Sequence, residues 1–165
     1  MRIILYIVFQ VVLTYSLSAE VEKTFISPGN KYQCVILRGG SIKEGVHVFL
    51  EAIGHEESRS KIYESDRWAE IKWSTNDSWF AIIDHPDGHN STIDIVKIVK
   101  QEGKPFWRTV SVFRSPWPTH SDNYWDVKEW NFQKGVVTLL WRNESSNHGV
   151  WKLKEFKMPI EFSEK

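Results

Sequence analysis

The segment DHPDGHN, which runs from residue 84 to residue 90, concentrates side chains that could bind a metal ion. Carboxylates and imidazoles are ligands of zinc and other first-row divalent cations. The candidate ligands are Asp84, His85, Asp87 and His89. One hypothesis is therefore a metal-dependent hydrolase or a metal-stabilised domain. The alternative is a plain turn, because Pro-Asp-Gly is a favoured turn sequence.

A second unusual segment, SPWPTHSDNYWD from residue 115 to residue 126, combines two prolines with three large aromatic side chains. Aromatic rings on a rigid loop offer a large contact area at low entropic cost, and they can stack on sugar faces. We predict that Trp117, Tyr124 and Trp125 bind a ligand. The alternative is that Trp117 folds back over one end of the core, since aromatic side chains are usually buried.

No catalytic motif accompanies these residues. The chain has no nucleophile elbow, no HExxH sequence and no glycine-rich phosphate loop followed by a helix. We therefore predict no catalytic residue and no cofactor-binding residue, with a divalent metal at residues 84–89 as the alternative.

Charge and cysteine content restrict the function classes further. The chain has 21 basic and 21 acidic side chains without a long run of either sign. Nucleic-acid binding needs concentrated positive charge, so we expect no nucleic-acid partner. The one cysteine, Cys34, cannot form an internal disulfide, and its apolar neighbours predict a buried core position.

The N-terminus has the order of a secretory signal: Arg2, an apolar run from Ile3 to Leu13, then small residues ending at Ala19. The apolar run is shorter than the roughly 20 residues of a transmembrane helix, although an uncleaved anchor is the alternative. We predict a signal peptide at residues 1–19 and export to the periplasm or the extracellular space. Residues 20–165 would form a single all-β domain without a transmembrane segment.

Short segments rich in Val, Ile, Phe, Tyr and Trp alternate with turn-forming clusters, which predicts about ten antiparallel strands. For residues 121–130 a helical turn is the alternative to a strand. The predicted strands are Tyr32–Arg38, Val46–Ile53, Lys61–Glu64, Trp68–Trp73, Trp79–Asp84, Thr92–Lys100, Phe106–Phe113, Tyr124–Asn131, Val136–Arg142 and Val150–Phe156.

Three segments are similar to one another: ISPGNKYQCVIL from Ile26, KWSTNDSWFAIID from Lys72 and EWNFQKGVVTLLW from Glu129. Each has an apolar or aromatic residue, a polar turn and an apolar strand, and a second strand follows across a polar loop. Irregular repeats of this length with several strands each indicate propeller blades.

The second segment, residues 72–84, resembles the strand-turn-strand element of TolB-like β-propeller repeats, in which an aromatic residue precedes Ser-Pro-Asp-Gly and an apolar strand. This chain has Thr75, Asn76 and Asp77 in place of Pro-Asp-Gly. The resemblance implies blade-like sheets. A closed propeller needs about four to eight four-stranded blades, so ten strands predict an incomplete propeller. We expect a meander of propeller-blade-like or sandwich-like sheets.

The function that these patterns favour is a non-catalytic exported module that binds a protein or a glycan. The metal-dependent hydrolase at Asp84, His85, Asp87 and His89 is the alternative. A third hypothesis is a purely structural or envelope-packing domain, which would have no ligand.

Overall fold

The computed structural model describes residues 20–39, 45–100, 107–115, 123–145 and 150–160. Within these ranges the regular structure consists of β-strands, and no helix occurs. Eleven strands form three antiparallel sheets in the described part of the chain, and none of the sheets closes into a barrel or a propeller. The predicted fold class, an all-β meander of antiparallel strands without a closed propeller, is confirmed.

Each sheet is a meander, because strands that are paired within a sheet are also consecutive in the sequence. The first sheet contains β1 (Glu20–Ile26), β2 (Tyr32–Arg38), β3 (Val46–Ala52) and β4 (His55–Ser65). The second contains β5 (Trp68–Trp73), β6 (Trp79–His85), β7 (Thr92–Lys100) and β8 (Trp107–Arg114). The third contains β9 (Asn123–Asn131), β10 (Val136–Ser145) and β11 (Val150–Pro159).

The three similar sequence segments form the first hairpin of each sheet. The backbone N–H of Ser27 donates to the carbonyl of Tyr32 at 2.9 Å, and that of Ser74 donates to the carbonyl of Trp79 at the same distance. In the third sheet, Asn131 pairs with Val136. The three pairs have the same sequence separation, so the internal similarity corresponds to a repeated hairpin.

Neighbouring first hairpins also contact each other. The backbone N–H of Gly29 donates to Asp77 Oδ1 at 2.7 Å, which joins the first turn of one sheet to the first turn of the next. A Cβ at Gly29 would lie 2.1 Å from Asp77 Oδ2, so a larger residue at this position would displace the Asp77 carboxylate. Trp73 Nε1 donates to the carbonyl of Phe25 at 3.0 Å and joins the same two hairpins.

The second sheet lies between the other two and shares a hydrophobic cluster with each. Alternate residues of β6 face opposite sheets, and all of its residues before His85 are buried. Phe80 and Ile82 pack in the cluster with the first sheet. Trp79, Ala81 and Ile83 pack in the cluster with the third sheet. Burial on both faces explains why β6 is apolar at nearly every position.

The strand predictions were confirmed at most positions, and the two largest differences concern β1 and β4. β1 was not predicted, because its charged residues leave little apolar alternation, yet it pairs along the length of β2. β4 begins at His55 instead of Lys61, since its polar first half is largely exposed at the sheet edge. Residues 123–130 form part of a strand, so the helical-turn alternative is wrong.

Cys34 is fully buried in the first cluster, as predicted. Burial raises the pKa of its thiol, which keeps the sulfur in the unreactive protonated form. The predicted signal segment, residues 1–19, lies outside the described residues. Across the part of the chain that is described, no helix has the length and hydropathy needed to cross a membrane.

Candidate functional site

A cleft of about 160 Å³ lies where the second sheet meets the third. β5 and β6 provide one wall, and β9 and β10 provide the other. Three of its residues were singled out from the sequence, and four were not. The lining residues are Glu70, Ile83, His85, Tyr124, Trp125, Asp126 and Arg142.

Strand register places these side chains together. On one wall, Glu70 pairs with Ile83 across β5 and β6, and Trp68 pairs with His85 one step further along. On the other wall, Arg142 of β10 pairs with Tyr124 of β9. Antiparallel partners share a face of the sheet, so each pair presents its two side chains side by side.

His85 is the most distinctive residue of the cleft. Its imidazole stacks on the Trp68 indole with ring centroids 3.8 Å apart and planes inclined by 1°. Its Nε2 atom is buried and has no hydrogen-bond partner among the residues that the structure describes. Burial lowers the pKa of His85, although Glu70, Asp84 and Asp126 oppose the shift by attracting the imidazolium. The ring is therefore neutral near pH 7, and a buried unsatisfied nitrogen calls for a partner.

The opposite wall carries charge of both signs. Lys72 Nζ donates to Asp126 Oδ1 at 2.5 Å and joins the second sheet to the third. Arg142 Nη2 lies 4.0 Å from Asp126 Oδ2, and half of the Arg142 side chain is exposed. Carboxylate acceptors and guanidinium donors therefore border the same small space.

Asparagine and serine side chains hold β9 in place. Asn123 donates its backbone N–H to Asn90 Oδ1 at 3.1 Å, and its carbonyl accepts the N–H of Ser91 at 2.7 Å. Trp125 donates its backbone N–H to Ser91 Oγ at 2.6 Å. Asn143 Nδ2 donates to Asn123 Oδ1 at 2.7 Å. These contacts fix the strand that carries Tyr124 and Trp125.

The predicted aromatic ligand-binding residues have different positions in the structure. Tyr124 and Trp125 belong to β9 and line the cleft. Trp125 also packs against Phe113 and Phe156, so it contributes to the core of the interface. Trp117 lies outside the described residues.

The four predicted metal ligands are not brought together. Asp84 and His85 are adjacent in β6, and adjacent strand residues point to opposite faces. Asp87 caps the following turn, accepting the N–H of His89 at 2.7 Å. His89 is exposed. Within the described ranges no group of three or more His, Cys, Asp or Glu side chains could hold a metal ion. The geometry does not favour a metal centre in this segment.

Asp84 instead joins the first sheet to the second. Its Oδ2 accepts the Tyr63 hydroxyl at 3.0 Å, and its Oδ1 accepts the Ser65 hydroxyl. Burial raises the pKa of Asp84, and the two hydrogen bonds offset only part of this effect. The side chain therefore acts in sheet packing on the face opposite the cleft.

We expect Asp84→Asn to change the pH dependence of stability. A carboxyl pKa that is higher in the folded state than in the unfolded state, about 3.9, gives stability that is present in acid and lost as pH rises through the folded value. Asparagine does not titrate, so urea unfolding should show the wild type losing stability relative to Asp84→Asn as the pH rises from about 4 through the folded pKa. A constant difference over this range would contradict the assignment.

Sequence reasoning missed Glu70, Asp126 and Arg142, because no motif links residues that are so far apart in the chain. Asp126 directly follows the predicted Tyr124 and Trp125, and this adjacency was the available signal. Glu70 lies at a half-buried position of β5 between the buried Ala69 and Ile71, where alternation permits a polar residue, so its own segment carried no signal. Arg142 could be placed only by the register of β9 and β10.

The fold combines two four-stranded meanders and one three-stranded meander, and each begins with a similar hairpin. The resemblance of residues 72–84 to TolB-like repeats stays a prediction. A comparison with protein-family models, curated proteins and solved structures finds no match for this chain.

Proposed function

We propose that the chain is an exported, non-catalytic module that binds the end of a glycan in the cleft between the second and third sheets. The observation that supports this proposal most directly is the unpartnered, buried Nε2 of His85 in a cleft that also contains Glu70 and Arg142. A ligand hydroxyl could donate to or accept from this nitrogen, depending on the imidazole tautomer.

The chemistry of the lining favours a polyhydroxylated ligand. Sugar hydroxyls both donate and accept hydrogen bonds, so they suit a site that has carboxylate acceptors at Glu70 and Asp126 and a guanidinium donor at Arg142. Tyr124 and Trp125 add aromatic surface on which a sugar ring can pack. A purely apolar ligand would offer no hydrogen bond to these polar groups.

The size of the cleft favours the end of a chain over a larger ligand. Its volume of about 160 Å³ is below the roughly 300–1,000 Å³ of most small-molecule pockets. A protein surface would need a much larger contact area than this cleft offers. The predicted signal at residues 1–19 supports a location where extracellular or envelope glycans are available.

Screening the purified chain without residues 1–19 against an array of soluble glycans, followed by calorimetric titration of the retained glycan, tests the proposal. We expect His85→Phe to weaken binding by about tenfold, which corresponds to the loss of one hydrogen bond of about 1.4 kcal/mol. Phenylalanine keeps a flat aromatic ring against Trp68 and removes both ring nitrogens.

His55→Phe is the matched control, because His55 is exposed on β4 and its ring bonds to the equally exposed Glu57, far from the cleft lining. This variant should bind as the wild type does. Failure of every glycan to bind the wild type, or equal affinity of His85→Phe and the wild type, would contradict the proposal.

A further inference from the structure

The edge strand β11 is a long and regular open edge. β11 is an outer strand of the third sheet, so within the described chain it has a neighbour on one side only. The third sheet has three strands, and each of the other two has four. All ten of its residues pair with β10 without a register shift. The edge strands β1, β4, β8 and β9 pair with shifted register, and β5, which is regular, has only six residues. Bulges and short edges limit further pairing, and β11 has neither protection.

Exposed apolar side chains mark the same strand. Leu153 is 58% exposed and Phe156 is 42% exposed. Phe156 rests on the Trp125 ring with centroids 5.4 Å apart, so its orientation is fixed by the core of the third sheet. A regular edge with exposed apolar side chains favours addition of another strand.

We propose that β11 pairs with β11 of a second copy of this chain, antiparallel and about a two-fold axis at Phe156. The two third sheets then become one sheet of six strands. This inference does not depend on glycan binding, because the cleft is lined by β5, β6, β9 and β10.

Charge restricts the position of the axis near the middle of the strand. A two-fold axis perpendicular to the sheet joins the two copies into one continuous sheet without turning either copy over. Two side chains that pair across the axis must therefore lie on the same face of that sheet. An axis at Lys154, Glu155 or Lys157 would place that charged residue opposite its own copy. An axis at Leu153 would place Lys152 opposite the second copy's Lys154. Like charges directly opposite each other are destabilising.

The axis at Phe156 avoids these repulsions and creates reciprocal ion pairs. Glu155 then lies opposite Lys157 of the second copy, and Lys157 lies opposite the second copy's Glu155. The two Phe156 rings meet at the axis, and Leu153 lies opposite Pro159 of the second copy. Lysines on an edge usually prevent pairing, but in this register each Lys157 has an acidic partner.

The groups needed for this pairing are accessible. Lys157 is exposed on the strand. Glu155 contacts Lys128 in its own sheet, and 42% of the Glu155 side chain is exposed. Lys154 lies 5.3 Å from the centre of the Trp141 ring, so its charge is directed to the sheet surface.

Sedimentation equilibrium over a concentration series tests the inference on the chain without residues 1–19. We expect the wild type to form a dimer. Glu155→Lys should raise the dissociation constant at least tenfold, because the substituted side chain then faces Lys157 of the second copy with the same charge. The double variant Glu155→Lys with Lys157→Glu exchanges the charges and should restore the dimer. Circular dichroism should show the same strand content for all three proteins.

Glu56→Lys, a charge reversal on the exposed edge strand β4, is the matched control and should leave the dimer unchanged. A wild type that stays monomeric throughout the concentration series would overturn the inference. Equal dissociation constants for the wild type and Glu155→Lys would overturn the proposed register. A double variant as weak as Glu155→Lys would do the same.

Discussion

Replacing either Ile82 or Ile83 by alanine should lower the free energy of unfolding by about 2–5 kcal/mol. Ile82 is 1% exposed and Ile83 is 2% exposed, and they belong to different clusters. In a strand with one solvent-exposed face, one of two adjacent isoleucines would point to solvent. Its replacement by alanine would change the free energy of unfolding little. Here both substitutions should be severe, because both faces of β6 are covered by another sheet.

Urea unfolding followed by tryptophan fluorescence measures this effect, with Ile26→Ala as the matched control. Ile26 is 54% exposed at the end of β1, so the control should cost well under the core substitutions. A small effect of Ile83→Ala beside a large effect of Ile82→Ala would show that the third sheet does not cover β6 as described. A small effect of Ile82→Ala beside a large effect of Ile83→Ala would show that the first sheet does not cover β6 as described.

Replacing Arg59 by methionine should lower the free energy of unfolding by about 3 kcal/mol at neutral pH. Glu51 is 1% exposed, although it belongs to the end of a strand in the first sheet. Arg59 Nε and Gln33 Nε2 each donate to one of its carboxylate oxygens, both at 2.5 Å. Removing the guanidinium leaves a buried carboxylate with one partner. The Arg59 side chain is 37% exposed, so water limits the cost to the lower end of the usual range.

The same variant should show a distinctive pH dependence. Burial disfavours the Glu51 carboxylate, but the hydrogen bonds from Arg59 and Gln33 outweigh burial and lower its pKa. A folded pKa below the unfolded value, about 4.3, gives stability that is present above about pH 4.3 and lost as pH falls through the folded value. The difference between the wild type and Arg59→Met should therefore shrink in acid.

Lys61→Met provides the control on the same strand, because Lys61 pairs with the exposed Glu64. Exposed ion pairs contribute little, so this variant should unfold almost as the wild type does. Urea midpoints for the three proteins at neutral and acid pH compare the two pairs directly. An Arg59→Met protein as stable as Lys61→Met would contradict the role assigned to the buried pair.

Stacking of the sheets explains why the cleft occurs where it does. The second and third sheets pack closely around Ile83 and Leu139, but the neighbouring positions on β5 and β9 carry Glu70 and Asp126 instead of apolar residues. Charged side chains resist complete burial, so the sheets do not close fully over them. The cleft is thus a local departure from apolar packing between two sheets.

Local patterns were sufficient for much of the fold. Alternation of apolar and polar residues identified ten of the eleven strands of the described chain, because the side chains of a strand alternate between faces. The missing strand, β1, depends on its pairing with β2 more than on its own composition. Similar hairpins at Ser27, Ser74 and Asn131 were visible in the sequence because each requires the same polar turn.

The sequence by itself determined the strand order along the chain, the burial of Cys34 and the repeated hairpin, since these depend on neighbours within a few residues. Only the tertiary structure decided which polar residues meet. Asp84 and His85 are adjacent in β6, so their side chains lie on opposite faces of the second sheet, and Asp84 bonds to the first sheet. Packing of the third sheet then places Tyr124 and Arg142 in the same cleft as His85. Such contacts depend on sheet register and on the way one sheet is stacked on the next, which no short segment of sequence specifies.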